Sequence, residues 1–152
     1  MPFYATTDLS NDLRDLMTAS NIFKDVRVAA ITSYELLLMM IPQLMMIPQL
    51  TRFPAAIVCI GTGEINADRT LLTVRPGIVV VDKFRADLDA KSVGIWNVLD
   101  KTLDIFLPAG GPRNPLSING VSYWPESFRP IVLSGAKCSA YMIELKALTA
   151  KR

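Results

Sequence analysis

Residues 53–84, Phe53 to Phe84, read FPAAIVCIGTGEINADRTLLTVRPGIVVVDKF, and this stretch decides the fold. Pro54 opens it, at a strand start where a missing N–H does no harm. Ala55 to Ile60 is almost continuously apolar, the pattern of a strand buried on both faces. Gly61, Gly63, Asn66 and Asp68 then supply the residue types of a turn or bulge. The second run, Thr70 to Asp82, begins with alternation and ends in the β-branched segment Ile78-Val79-Val80-Val81. Pro76-Gly77 interrupts that run, which predicts a bulge, a kink or an edge position. An antiparallel hairpin is the simplest way to join the two runs.

Outward from the hairpin, the N-terminal side begins with a helix. Thr7 or Asp8 caps it, and Leu9, Leu13, Leu16 and Met17 fall on one face. Asn21 ends it. Lys24 to Thr32 reads as a strand, with Val26, Val28 and Ala30 alternating against Arg27 and Ala29. The hexamer MMIPQL then occurs twice in succession, from Met39 and from Met45. Pro42 and Pro48 forbid one continuous helix through both copies. Ser33 is placed to cap a short helix from Tyr34 to about Ile41, leaving an apolar connector arm over 39–50. Two readings stand: a plug beneath the sheet, or a Met-rich arm that docks on a neighbouring copy.

On the C-terminal side, Ala90 to Leu107 reads as a second helix lying on the sheet and forming most of the core. Val93, Trp96, Leu99, Leu103 and Phe106 make its core stripe, widened by Ile95, Val98 and Ile105. Asp100 and Asp104 sit one turn apart as a like-charge pair, either on a solvated face or on a deliberately acidic surface. Residues 108–120, PAGGPRNPLSING, read as a Pro/Gly loop whose only charge is Arg113. Val121 to Trp124 reads as a short strand, with Pro125 and Pro130 bracketing another turn. Ile131 to Leu133 and Lys137 to Leu148 close the sheet, and the tail TAKR is expected to fray. The fold class is therefore α+β: a mostly antiparallel sheet built on a long hairpin, with two main helices packed on it.

The chain has 152 residues, half of them apolar, and a net charge of +2 with both signs interspersed. That composition predicts one ordered domain over 1–152 with a real core and no nucleic-acid footprint. With no histidine and two cysteines, a zinc site is not expected. Cys59 and Cys138 read as strand thiols, which fits a reducing origin. No secretion signal is expected from MPFYATTDLSND, and the apolar run Leu36–Leu50 is too broken by proline and glutamine to cross a membrane.

The sequence offers little chemistry. GTGEIN resembles the start of a dinucleotide fingerprint, but Asn66 stands where the third glycine belongs and a strand follows instead of a helix. Ser117 and Ser134 have no histidine to activate them. Asp82, Asp87 and Asp89 lack a calcium-loop spacing. Trp96 and Trp124 read as core or interface aromatics. The expectation is a protein without enzymatic activity, cofactor or metal.

With the FPAAIVCIGTGE start of the hairpin (a PAxxVxxGxGE pattern), the Val-rich second strand and the helix IWNVLDKTLDIF, the element order resembles the small tail terminator and tail-completion proteins of long-tailed bacteriophages. The resemblance runs from about Leu9 to Leu148, and the doubled MMIPQL departs from the family pattern. It implies a virion structural protein, assembled in the bacterial host cytoplasm, forming a ring, generally a hexamer, at the head-proximal end of the tail. Such a ring stops tail-tube polymerisation and joins tail to neck. Its partners are its own copies, the tail tube protein, a neck or head-completion protein and the genomic DNA passing through the lumen. Carried onto this chain, the contact elements are Met39, Met40, Met45 and Met46 of the arm, Gly61, Gly63, Glu64 and Arg69 of the hairpin tip, and Arg113 of the Pro/Gly loop. Asp100 and Asp104 are the lumen candidates, since an acidic lining repels phosphate. The rival readings are a neck adaptor one ring higher and a small α/β ligand-binding domain.

Overall fold

A computed structural model of the chain describes residues 6–28, 52–68, 70–83, 94–107, 115–131 and 138–150. Helix α1 (Thr6–Ala19) comes first, then strands β1 (Asp25–Val28), β2 (Ala55–Ile65) and β3 (Leu71–Lys83). Helix α2 (Ile95–Phe106) follows, then β4 (Leu116–Ile118), β5 (Val121–Ile131) and β6 (Cys138–Ala150). The strands form one six-stranded sheet in the order β1-β2-β3-β6-β5-β4, with β1 parallel to β2 and every other pair antiparallel. The α+β class and the hairpin-centred sheet are as the sequence predicts.

Both helices share one core with the same face of the sheet. Leu9, Leu13 and Met17 of α1 are fully buried, as the helical spacing requires, and α1 packs on β1 and β2. Asn21 ends it with φ 60, the left-handed conformation that asparagine tolerates after a helix. Helix α2 packs on β3, β5 and β6 through Val98, Leu99 and Phe106. Thr102 is buried there too, its hydroxyl donating to the Val98 carbonyl at 2.7 Å, so no polar group is stranded. Facing them are Ala56 and Val58 of β2, Ile78 and Val80 of β3, Ile143, Leu145 and Ala147 of β6, and Val121 and Tyr123 of β5. Each large side chain buried in this way contributes about 1.5–3 kcal/mol.

Among the described residues α2 does not supply most of the core, because α1 contributes Leu9, Leu13 and Met17 beside the Val98, Leu99 and Phe106 of α2. Trp96 is not in the core stripe: it is 57% exposed, one position around the helix from the buried face. On the opposite face of the sheet, Ile57, Cys59, Val79 and Val81 are buried as well, so the middle of the hairpin is covered on both sides as its unbroken apolar pattern predicts.

Two bulges bend the sheet. Strand β2 pairs regularly with β3 as far as Ile60↔Pro76 and resumes at Gly63↔Val74, so Gly61 and Thr62 oppose Arg75 alone. In β5, pairing with β6 shifts between Pro125 and Ser127, leaving Glu126 as the extra residue. Five readings are corrected here. β2 continues through Gly61 and Gly63 to Ile65. Of the alternatives at Pro76, the bulge holds, since Pro76 lies beside it, and the edge position is overturned, since β3 is a central strand. Pro125 and Pro130 lie within a continuous β5, tolerated because it is an outer strand with a bulge. Leu116–Ile118, inside the expected loop, is strand β4. The chain end does not fray as far back as Thr149, which is buried at 1% exposure within β6. The β4–β5 connection is the two-residue turn Asn119-Gly120, with φ 51 and 82, a hairpin turn that those residue types favour.

Candidate subunit interface

Hydrogen bonds hold the hairpin tip together. Asn66 organises its turn: Oδ1 accepts hydrogen bonds from the Thr70 and Leu71 amides at 2.8 and 3.0 Å, and Nδ2 donates to Thr70 Oγ1 at 2.9 Å. The Asn66 amide also donates to the Leu71 carbonyl at 3.2 Å, closing the turn from the main chain. Gly61 permits the bulge beneath, since a Cβ there would stand 2.8 Å from the Arg75 carbonyl oxygen. Every residue from Gly61 to Ile65 is exposed, and Ile65 is the most exposed large apolar residue described, at 61%.

Among the described residues, the outer edge of β2 is paired over part of its length. β1 pairs with Ala55–Val58, and among the described residues no strand pairs with that edge from Cys59 to Ile65. Strand β5 is half covered in the complementary way. β4 pairs with Val121–Tyr123, and among the described residues the same edge of β5 carries no partner from Trp124 to Ile131. Followed across the sheet, the end of β2 beyond its β1 pairing is level with β4, and the end of β5 beyond its β4 pairing is level with β1, so the two segments without a partner among the described residues occupy diagonally opposite corners.

At the β5 corner, Phe128 is 54% exposed and its ring lies 6.4 Å from that of Tyr141, tilted by 50°. Trp96 Nε1 donates to Tyr141 Oη at 3.1 Å, which fixes the exposed indole over the end of the sheet. On the other face, Arg129 pairs with Glu144 at 3.3 Å and remains half exposed.

Of the residues singled out in the sequence, Gly61, Gly63 and Glu64 lie together on the exposed tip. Asp100 and Asp104 are exposed on the outer side of α2. Met39, Met40, Met45, Met46, Arg69 and Arg113 lie outside the described residues. Ile65, Phe128 and Arg129 were not singled out. A bulge after Ile60 re-phases the alternation and sets Ile65 on the helix-bearing face beyond the helices, a displacement that pattern reading alone does not reveal.

Among the described residues, no group of three or more His, Cys, Asp or Glu side chains is placed to hold a metal ion, and no helix is long and apolar enough to cross a membrane. Comparison with protein-family models and with curated proteins finds no match to this chain.

Proposed function

We propose that this chain is a virion structural protein that assembles with its own copies into a ring at the head-proximal end of a phage tail, ending tail-tube polymerisation and joining tail to neck. The observation that carries this reading is the exposed hairpin tip Gly61–Ile65, with Ile65 61% exposed at the end of a β2 edge that, among the described residues, no strand pairs beyond Val58. An edge of that kind presents unpaired backbone groups together with apolar surface, and another strand satisfies both at once. The resemblance of the hairpin and of α2 to tail terminator proteins supplies the biological setting. In that setting the role is mechanical and not catalytic, the tail tube and neck proteins are axial partners, and Asp100 and Asp104 are lumen residues that keep transiting DNA from adhering.

Electron microscopy and mass photometry of the purified protein test this. Ring-shaped oligomers are expected at micromolar concentration, and Ile65→Lys is expected to reduce them while leaving the melting temperature unchanged. Monomer alone across that concentration range overturns the reading.

A further inference from the structure

We propose that Asn119 is a modification site: its side-chain amide hydrolyses through a cyclic imide formed with Gly120, and the carboxylate so produced opposes Asp12 and loosens the tie between α1 and the β4–β5 hairpin. This stands apart from the ring reading and needs no second copy.

The sequence singles out the position. Of the chain's asparagines, only Asn119 precedes a glycine. Asn11, Asn21, Asn66 and Asn97 are followed by residues whose side chains screen the next main-chain nitrogen, and Asn114 precedes Pro115, which has no N–H to give up. The turn also leaves room for the reaction. Asn119 and Gly120 are both exposed, and nothing lies within 4 Å of where a Cβ on Gly120 would stand. The β4–β5 ladder ends at Ile118↔Val121, so both turn residues lie outside it.

The chemistry needs only water. The Gly120 nitrogen, after losing its proton to hydroxide, attacks Asn119 Cγ. A C–N bond forms, the Cγ–Nδ2 bond breaks, and ammonia leaves with a proton taken from water. Water then opens the five-membered imide at either carbonyl, giving aspartate or isoaspartate. One water is consumed, one ammonia is released, and nothing is oxidised or reduced.

Asp12 gives the change a structural consequence. Asn119 Nδ2 donates to both carboxylate oxygens of Asp12, each at 3.2 Å. Asp12 belongs to α1, which packs on β1 and β2, whereas β4 lies at the other side of the sheet, so the pair reaches across the helix-bearing face. Ring closure swings the amide off Asp12, and the contact therefore slows the step that destroys it. After conversion an anionic acceptor stands where a donor met a carboxylate, and attraction becomes repulsion. Solvent at this exposed turn keeps the effect modest.

Peptide mapping by mass spectrometry tests the site in the folded protein held in mildly alkaline buffer. Asn119 is expected to convert to aspartate and isoaspartate ahead of every other asparagine, and about fivefold faster in Asp12→Ala, the weight of one hydrogen bond. Folded wild type that keeps the Asn119 amide while other asparagines convert overturns the proposal. Thermal melting tests the consequence. Asn119→Asp is expected to lower the melting temperature by about 2–4 °C, and adding Asp12→Asn to recover most of that loss. An unchanged melting temperature in Asn119→Asp, or an equal loss with Asp12→Asn present, removes the opposing-charge step. Should Asn119→Asp fold poorly, converted wild type separated by ion exchange from the unconverted form takes its place in the same comparison.

Discussion

Arg75 on β3 forms an ion pair with Glu126 on β5, reaching across the intervening β6, and both residues stand where a strand departs from regular pairing. Arg75 opposes the β2 bulge, and Glu126 is itself the extra residue of the β5 bulge. The pair ties the two irregularities together on the face away from the helices. Its members are 41% and 33% exposed, so solvent screens the attraction. Arg75→Ala and Glu126→Ala are each expected to cost at most about 1 kcal/mol, with a coupling below about 1 kcal/mol in a double-mutant cycle. Urea unfolding at low and high salt checks this, and the coupling should shrink as salt rises.

Gly61 and Gly120 are expected to resist substitution for different reasons. At Gly61 a Cβ meets the Arg75 carbonyl at 2.8 Å, and a backbone atom yields only if the bulge moves. Gly61→Ala should therefore cost about 1–3 kcal/mol, the range of core overpacking. At Gly120 there is open space but φ is +82, so Gly120→Ala pays backbone strain alone, about 1–2 kcal/mol. Urea midpoints measure both. Amide hydrogen exchange separates them, since only Gly61→Ala should lower protection along β2 and β3.

How far the fold was legible depended on where local pattern and tertiary position coincide. Leu9, Leu13 and Met17, and the alternation Tyr141, Ile143 and Leu145, state their burial in their spacing. Pro125 and Pro130 misled because proline punctuates most strands, and only an outer strand with a bulge accommodates both. The β4–β5 hairpin was legible in principle, since Asn119-Gly120 is a strong two-residue turn signal, but the surrounding prolines and glycines masked it. Trp96 looked like core because helical spacing does not say where the sheet beneath ends. The candidate interface was half legible: Gly61, Gly63 and Glu64 follow from the turn chemistry. That Phe128 and Arg129 stand exposed beyond the β4 pairing follows from sheet order, which no single segment contains.

The exposed aromatic corner and the core should respond to truncation very differently. Ile143 is fully buried between the helices and the sheet, and Ile143→Ala is expected to cost about 2–5 kcal/mol. Phe128→Ala and Trp96→Ala remove rings that are more than half exposed and should each cost below about 1 kcal/mol in the monomer. Denaturant unfolding of the three variants checks the contrast. A large loss for Phe128→Ala in monomeric protein would mean that the ring serves the fold and not an interface.

Cys59 provides a prediction in alkaline solution. Its side chain is buried, and burial pushes the thiol above its ordinary value of 9.0 by penalising the thiolate. Its Sγ lies 3.5 Å from the Gly77 carbonyl oxygen, to which the protonated thiol donates. The folded state therefore keeps a proton that the unfolded chain releases. Stability on this account is fully present below the unfolded value, begins to fall as the pH passes about 9.0, and goes on falling until the folded thiol itself ionises. In a Cys138→Ser background, Cys59 is expected to stay inert to a thiol reagent at pH 8 in the native protein and to react at once in denaturant. Replacing Cys59 by alanine in that background should flatten the decline in urea midpoint between pH 8 and pH 10. An equal decline with alanine at position 59 would assign the alkaline sensitivity to other groups.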